Sequence, residues 1–582
     1  MPWASQFLRG GALAGLAGGV VFGVALLTGL TGGPPISVYP VAGIAAVIFA
    51  LTFALIPDRE ATPQILGVLA VGVVALLAGV TAGFGALSLS GVGGSVLGVT
   101  LSGRRTDWWQ RIPPAAVASM ALAVVVASLI PLVLDGGGLN HDESAYALKA
   151  RHWIEGTPET GWNLHRGIAM SGYGYLVFQV GGDERALRFL GLAAIVGLAI
   201  ATWILGSRIG GRWVGPLSAV AVLSSPSVLR RSTEFLSDVP SSALLMAGMV
   251  VIWKQFGERD EPGYGLFWLL PFAWAAFYIR YQSVLSFGLI VLMIGLLFWE
   301  KVKKGWRPVA AASTLGVLGL IPHFVFAGSE EGNPLGIILF TAEVAGREFY
   351  GEGLVDYFLL MAWPLAAFVG PVAVVFFVWW LVVGWDHVTE RTKCLFLMIP
   401  AAGQVLILGV LSHGEARFIF FPLALTLIGG VVGFLHVQDR WEPATARVTG
   451  LALAVLLFGS LAMASTYVRE AVENRARGTE VIVAAAHEVE EMSGAKSCGV
   501  MTSYFPQVTY FSSCHTHFFR PELDPEGALS RVDGELRYLL VVEDGKNQPE
   551  GDDLSELIEL TVEGPIVIHA GGQSAEIYRF GP

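Results

Sequence analysis

Apolar stretches about 20 residues long recur along the 582-residue chain, separated by short polar turns. About 20 apolar residues in a helix cross the hydrocarbon core of a bilayer. The pattern predicts about fifteen spans, near 10–31, 37–56, 64–82, 84–103, 114–134, 187–206, 214–229, 240–254, 264–279, 283–299, 308–327, 366–385, 394–412, 417–436 and 447–465. Residues 354–365 are also apolar and read as an interfacial segment. After the last span, helical periodicity continues to about Met492. Short apolar runs then follow at Gly499–Met501, Tyr538–Val542, Ile566–Ile568 and Glu576–Tyr578, divided by Gly, Asp and Pro. These predict strands. The expected architecture is a mainly α, polytopic membrane protein with a small C-terminal α/β domain.

Composition narrows the function. Hydrophobic residues make up 54% of the chain and charged residues 14%, against about 25% charged in soluble domains. That excludes an ordinary soluble enzyme, a disordered chain and a nucleic-acid binder working through a basic face. The first 465 residues carry 27 basic and 27 acidic side chains, whereas 466–582 carry 9 and 20. The net charge of −11 therefore resides in the tail, which reads as a water-facing module.

Lys and Arg in short loops set the orientation. With the N-terminus in the cytoplasm, every loop assigned to the inside carries at least one, including Arg59, Arg104, Arg208, Lys254, Lys301, Arg391 and Arg440. An odd number of spans places the tail outside. Its two cysteines, Cys498 and Cys514, could then form a disulfide; two unpaired buried thiols fit the sequence equally well. Several arginines run against the rule by mapping outside: Arg151, Arg166, Arg185, Arg230, Arg231, Arg280, Arg347 and Arg417. An anionic ligand at the outer face would account for them.

Four constellations carry candidate chemistry. His141-Asp142-Glu143-Ser144-Ala145-Tyr146 follows the fifth span. Desolvation raises a carboxyl's pKa and equips it to take a proton from a hydroxyl, although acidic residues also simply favour a helix's first turn. Arg230-Arg231 precedes Glu234 and Asp238, and Asp238 is followed by Val239-Pro240 at the start of a span. His413-Gly414-Glu415-Ala416-Arg417-Phe418 makes a tight outside turn, in which Glu415 and Arg417 could simply pair. Arg280-Tyr281-Gln282 ends another span, where an aromatic–arginine interfacial anchor is the plainer reading. No HExxH or CxxC occurs. His515 and His517 beside Cys514 are ligand types for Zn²⁺, but read better as a strand with alternate His facing water. The sequence names no cofactor and leaves open whether a divalent metal assists.

These motifs, in this order and on one expected side, resemble the GT-C glycosyltransferase superfamily. The likeness is nearest the protein O-mannosyltransferase and lipid A aminoarabinose transferase branch. Asp142, Glu143 and Tyr146 stand where that branch has D-E-x-x-Y. The stretch Gly182–Arg188 is similar to its E-x-A-x-R motif, and Asp238-Val239-Pro240 to its second acidic motif. His413-x-Glu415-x-Arg417-Phe418 is similar to a turn of the lipid-linked mannosyltransferases. The likeness covers 114–465, leaving 1–113 as additional N-terminal spans and 466–582 as an extracytoplasmic domain. It implies an inverting transfer of sugar from a polyprenyl-phosphate donor to an acceptor hydroxyl at the outer face of the cell membrane. Asp142 is then the expected base, with Glu143 its alternate and Asp238 a second catalytic acid. Tyr146, Arg231, Arg280, His413, Glu415 and Arg417 become the expected substrate-binding residues. The partners implied are the lipid-linked donor, the hydroxyl acceptor and membrane lipid. A transporter or flippase of lipid-linked sugar is the competing class, but the acids cluster at the outer ends of the spans rather than at the midplane.

Overall fold

The computed structural model describes residues 114–581 apart from 163–165, 338–348, 361–364, 367–368, 441–442, 495, 520–526, 528, 533 and 546–547. The first four expected spans and the loop residue Arg347 lie outside these.

The expected span at 114–134 is α1 (Pro114–Leu134). The following loop folds into two helices, α2 (His141–Glu155) and α3 (Ile168–Gln179). A capping box starts α2: the Asn140 side chain accepts from the Glu143 amide at 3.0 Å, and the Glu143 carboxylate accepts from the Asn140 amide at 2.9 Å. Such reciprocal bonds satisfy two amides that a helix N-terminus leaves free. Gly156 ends α2 at φ 70°, a conformation open to glycine without strain.

Next come α4 (Glu184–Gly210), α5 (Val214–Leu223), α6 (Pro226–Arg231) and α7 (Asp238–Ile252), the last running into a π turn, Trp253–Gly257. The expected span 214–229 is corrected here. It divides at Ser224–Ser225 because a residue before proline disfavours helix, and Ser225 caps the new helix at Val228. The ten residues of α5 cover only about 15 Å, too short to cross alone.

The membrane body continues through α8 (Leu269–Ile279), α9 (Ser283–Lys304), α10 (Trp306–Leu318), α11 (Ile321–Glu331), α12 (Glu352–Leu360), α13 (Val369–Gly384), α14 (Val388–Leu411) and α15 (Phe420–Arg440). Among the described residues six helical segments are long and apolar enough to cross a membrane, counting α10 and α11 as one, and shorter apolar helices lie beside them. The most enclosed is the segment containing α15, with 89% of its apolar window buried. Its glycines permit this: a Cβ at Gly433 would sit 2.0 Å from the Phe376 carbonyl oxygen of α13. Small residues let membrane helices approach this closely.

The long helix α16 (Pro443–Ser493) has 51 residues, about 77 Å. It runs unbroken across the change in charge at residue 466 and becomes the supporting helix of the tail. The tail's sheet has the order β2-β1-β3-β5-β4. Strand β1 (Cys498–Met501) is parallel to β2 (His515–His517) and β3 (Leu536–Val542). Antiparallel pairing joins β3 to β5 (Gln573–Phe580) and β5 to β4 (Thr561–Ala570). Helix α17 (Phe505–Ser512) connects β1 to β2, and α18 (Gly551–Glu559) precedes β4. Val481, Ala485 and Val489 of α16 pack with Val500, Tyr538, Leu540 and Ile577 of the sheet. A Cys498–Cys514 disulfide fastens β1 to the segment entering β2.

Replacing Gly433 by Leu should force α13 and α15 apart. Overpacking costs about 1–3 kcal/mol, so thermal unfolding in detergent should shift to lower temperature, whereas Gly288→Leu, at a position facing open space, should leave it nearly unchanged.

Candidate active site

The first turns of α2 and α7, the C-terminal end of α8 and the α14–α15 turn converge. Asp142 stands at their centre. One oxygen accepts from Arg166 at 2.9 Å and the other from Arg417 at 2.9 Å. Arg417 also pairs with Glu415, whose other oxygen lies 3.1 Å from His413 Nε2. The Glu415–Arg417 pairing raised by the sequence therefore exists, but Arg417 spans two carboxylates. Gly414 makes this turn possible at φ 78°. Asp238 pairs with Arg280, which also donates to Gln282 at 3.0 and 2.8 Å and lies 5.2 Å from the Phe418 ring. Tyr146 is buried, with Arg166 over its ring at 5.5 Å and Phe235 beside it at 6.0 Å.

Beneath this lies a fully enclosed layer. Glu143 is 0% exposed and Arg188 1%. One Glu143 oxygen accepts from Arg188 at 3.0 Å and from the Phe235 amide at 2.7 Å; the other accepts from Asn140 and from Arg188 at 3.3 Å. Arg188 spends its remaining donors on the carbonyls of Gly137 and Gly138 at 2.8 and 2.7 Å. Glu234 meets three arginines: Arg231 at 2.6 Å, Arg230 at 3.5 Å and Arg475 at 3.5 Å.

The two adjacent carboxyls thus face different surroundings, and neither behaves as the sequence suggested. Burial alone would raise Asp142, but Arg166 and Arg417 outweigh it and hold the carboxyl well below its ordinary range. Burial also works upward on Glu143, and Arg188 followed by Arg475 brings it down to about 2. The expected increase in pKa is therefore corrected: desolvation is present, but each carboxylate was desolvated together with two guanidinium groups.

Of the residues expected at the site, Asp142, Glu415, Arg417 and His413 form one chain of contacts. Asp238 with Arg280, and Arg231 with Glu234, form two more. Glu143 lies behind Asp142 with its lone pairs occupied. Cys498 and Cys514 are bonded to each other in the tail. Sequence reasoning placed Arg188 in the E-x-A-x-R-like stretch without assigning it a partner, passed over Arg475 and gave Arg166 no particular role. A charge inside an apolar span was a further signal at Arg188. Arg475 had none, because it lies in a helix segment rich in both charges. Among the described residues no group of three or more His, Cys, Asp or Glu is placed to hold a metal. On β2, His515 is exposed, Thr516 buried and His517 half-buried.

The protein is a helical body with a carboxylate–arginine cluster at one end, covered by an α/β module. No protein-family model matches the chain, and no curated protein matches it in sequence. Solved structures do match. ArnT from Cupriavidus metallidurans bound to undecaprenyl phosphate shares 11% identity at a TM-score of 0.55, covering 79% of this chain and 97% of that one. Its apo state gives 0.57 at 11% identity, with 80% and 98% covered. AglB from Archaeoglobus fulgidus, an archaeal oligosaccharyltransferase in complex with an inhibitory peptide and a dolichol-phosphate, gives 0.50 at 10% identity, with 74% and 70% covered. The chain shares the fold of these structures.

Glu143→Gln should be costly, since breaking a buried pair from one side costs about 3–5 kcal/mol. The pH dependence has a definite sign. Unfolded carboxyls titrate near pH 4, and Asp142 and Glu143 titrate lower when folded. Their stabilisation is therefore complete above about pH 5, where unfolded carboxyls are ionised. It is lost as the pH falls, for Glu143 down through about 2. Acid unfolding of Glu143→Gln should be shallower than wild type between these limits. Equal slopes would mean that Glu143 contributes nothing.

Proposed function

We propose that this protein is an inverting membrane glycosyltransferase. It moves a sugar from a polyprenyl-phosphate donor to an acceptor hydroxyl on the extracytoplasmic face. Residues 114–465 form the catalytic membrane core and 466–582 the outer domain over it. One observation carries the reading beyond fold: in four neighbouring groups of ion pairs, seven arginines (166, 188, 230, 231, 280, 417 and 475) face five carboxylates (142, 143, 234, 238 and 415). That surplus of two positive charges suits a phosphate monoester, which carries close to two negative charges once it has left the sugar. The similar solved structures hold lipid phosphates, undecaprenyl phosphate in ArnT and dolichol-phosphate in AglB, which supports the same ligand class here.

In the reaction, the acceptor hydroxyl gives its proton to Asp142 as its oxygen attacks the anomeric carbon. The bond from that carbon to the phosphate oxygen breaks, and its electron pair leaves with the lipid phosphate. Arg417 and Arg280, at the ends of spans, receive the growing charge. Fixed cations in a water-poor cleft act strongly on developing charge, and arginine's planar fork suits phosphate. Glu143 is not the base in this scheme, because its lone pairs are already occupied; it positions Asp142 from below. Asp238 holds Arg280. His413 and Glu415 hold the turn that carries Arg417, Arg231 orders Glu234, and Tyr146 supports Arg166.

The scheme makes a directional prediction. Asp142 and the donor phosphate compete for Arg417 and Arg166. Asp142→Asn should lower transfer of radiolabelled sugar by about 10²–10⁴ while tightening binding of undecaprenyl phosphate. Arg417→Lys keeps a charge but loses the fork, and should weaken undecaprenyl phosphate binding. Turnover in Asp142→Asn within about tenfold of wild type would exclude it as the base.

A further inference from the structure

A second amphiphile-shaped site lies at the other end of the helices. Helices α4 and α7 both begin beside the carboxylate–arginine cluster. Near their far ends, together with the segment leading into α8, they enclose a cavity of about 580 Å³. Its α4 wall is a single stripe at 197, 200, 201, 204 and 208, and its α7 wall is the matching stripe at 247, 250, 251 and 254. Gly197, Ala201 and Ala247 keep the two helices from filling the space between them. The opposite wall is aromatic, Trp268 and Phe272.

The cavity is polar at one end only. Arg208, Lys254, Gln255 and Arg259 line that end. Arg208 donates to both oxygens of Glu258 at 2.8 and 2.6 Å. Lys254 and Arg259 have no carboxylate partner among the described residues. The rim is fixed rather than loose, because the Lys301 ammonium donates to the carbonyls of Phe256 at 2.7 Å and Arg259 at 2.6 Å. The α4–α5, α7–α8 and α9–α10 connections at this face, with their helix ends, hold eight basic residues, at 208, 212, 254, 259, 301, 303, 304 and 307, against four acidic ones, at 258, 260, 261 and 300.

We infer that this groove is a binding site for one anionic glycerophospholipid of the membrane leaflet opposite the carboxylate–arginine cluster. Three features select that occupant. Along α4 the groove runs from Gly197 to Arg208, about 17 Å, which is close to half of a roughly 30 Å hydrocarbon core. Its walls therefore match the acyl chains of one leaflet, not a polyprenyl chain several times longer. The polar end lies where the lipid headgroup would be. Its unpaired cations complement a phosphate carrying a net negative charge. A zwitterionic lipid would fill the same walls but present an ammonium to Lys254 and Arg259.

Native mass spectrometry of the full chain, released from detergent with dioleoylphosphatidylglycerol or dioleoylphosphatidylcholine, tests the site independently of any sugar transfer. One tightly retained phosphatidylglycerol, preferred over phosphatidylcholine, is expected. The Lys254→Ala/Arg259→Ala variant should weaken phosphatidylglycerol at least tenfold and leave phosphatidylcholine unchanged. Ala247→Leu, which fills the groove without touching charge, should weaken both, and provides the readout if the double variant melts early. Equal retention of the two lipids, or phosphatidylglycerol binding within twofold of wild type in both variants, overturns the inference. So does a double variant that loses undecaprenyl phosphate while keeping phosphatidylglycerol, since the groove would then hold the polyprenyl chain.

Discussion

An ion pair with almost no access to water, Glu143 with Arg188, is the contact on which the site end of this protein is built. It joins the first turn of α2 to α4. Through the Phe235 amide it also reaches the segment entering α7, and through Gly137 and Gly138 the strand of chain leaving α1. Buried pairs give little net stability because both charges must be stripped of water. This one persists because Glu143 also accepts from two backbone amides and Arg188 also donates to two carbonyls. Its contribution is positional: with Glu143 locked, Asp142 at the next position of the same turn is directed toward Arg166 and Arg417.

The acidic tail is part of the same construction. Arg475 on α16 reaches Glu234 and donates to the carbonyl of Gly136, so the helix that leaves the membrane also closes the charged layer. Helix α17 then lies against α2. The Arg151 guanidinium stacks on Tyr510 at 3.8 Å and donates to the Tyr510 carbonyl at 2.8 Å, while the Tyr510 hydroxyl donates to Glu184. The Phe505 ring meets His141 edge-on at 4.9 Å, one residue from Asp142. A domain that composition marks as separate is bonded to the loop that carries the site.

What could be read in the sequence follows physical range. Long apolar helices were legible because bilayer thickness imposes a length, and α4, α7, α9, α14 and α15 appear near their expected places. The 214–229 stretch failed because hydropathy does not register the Ser225-Pro226 break. The tail strands were legible from short apolar runs divided by turn residues, and the strand at His515–His517 from its alternate histidines. Motifs located Asp142, Asp238 and the His413–Arg417 turn, but they could not distinguish Asp142 from Glu143. That difference depends on which side of α2 meets Arg188, a partner 45 positions away. Arg475 was further out of reach, 332 positions beyond Glu143, in a helix whose charges look like ordinary solvated ones.

The depressed carboxyl at the centre of the proposed reaction imposes an order of events. Asp142 in the ligand-free site is a weak base because two guanidinium groups hold its negative charge. An acceptor hydroxyl arriving alone meets a carboxylate with little affinity for its proton. A donor phosphate is the stronger claimant on Arg417, since it offers more charge in a geometry that matches the fork. Each guanidinium donor that turns from Asp142 to phosphate restores basicity to the carboxylate it leaves. The same exchange assembles the cation that the leaving group needs and the base that the acceptor needs. In the proposed reaction Arg166 and Arg417 therefore do more than attract an anion: they keep Asp142 a weak base until the phosphate is in place, which would limit wasteful attack by water on an incompletely bound donor.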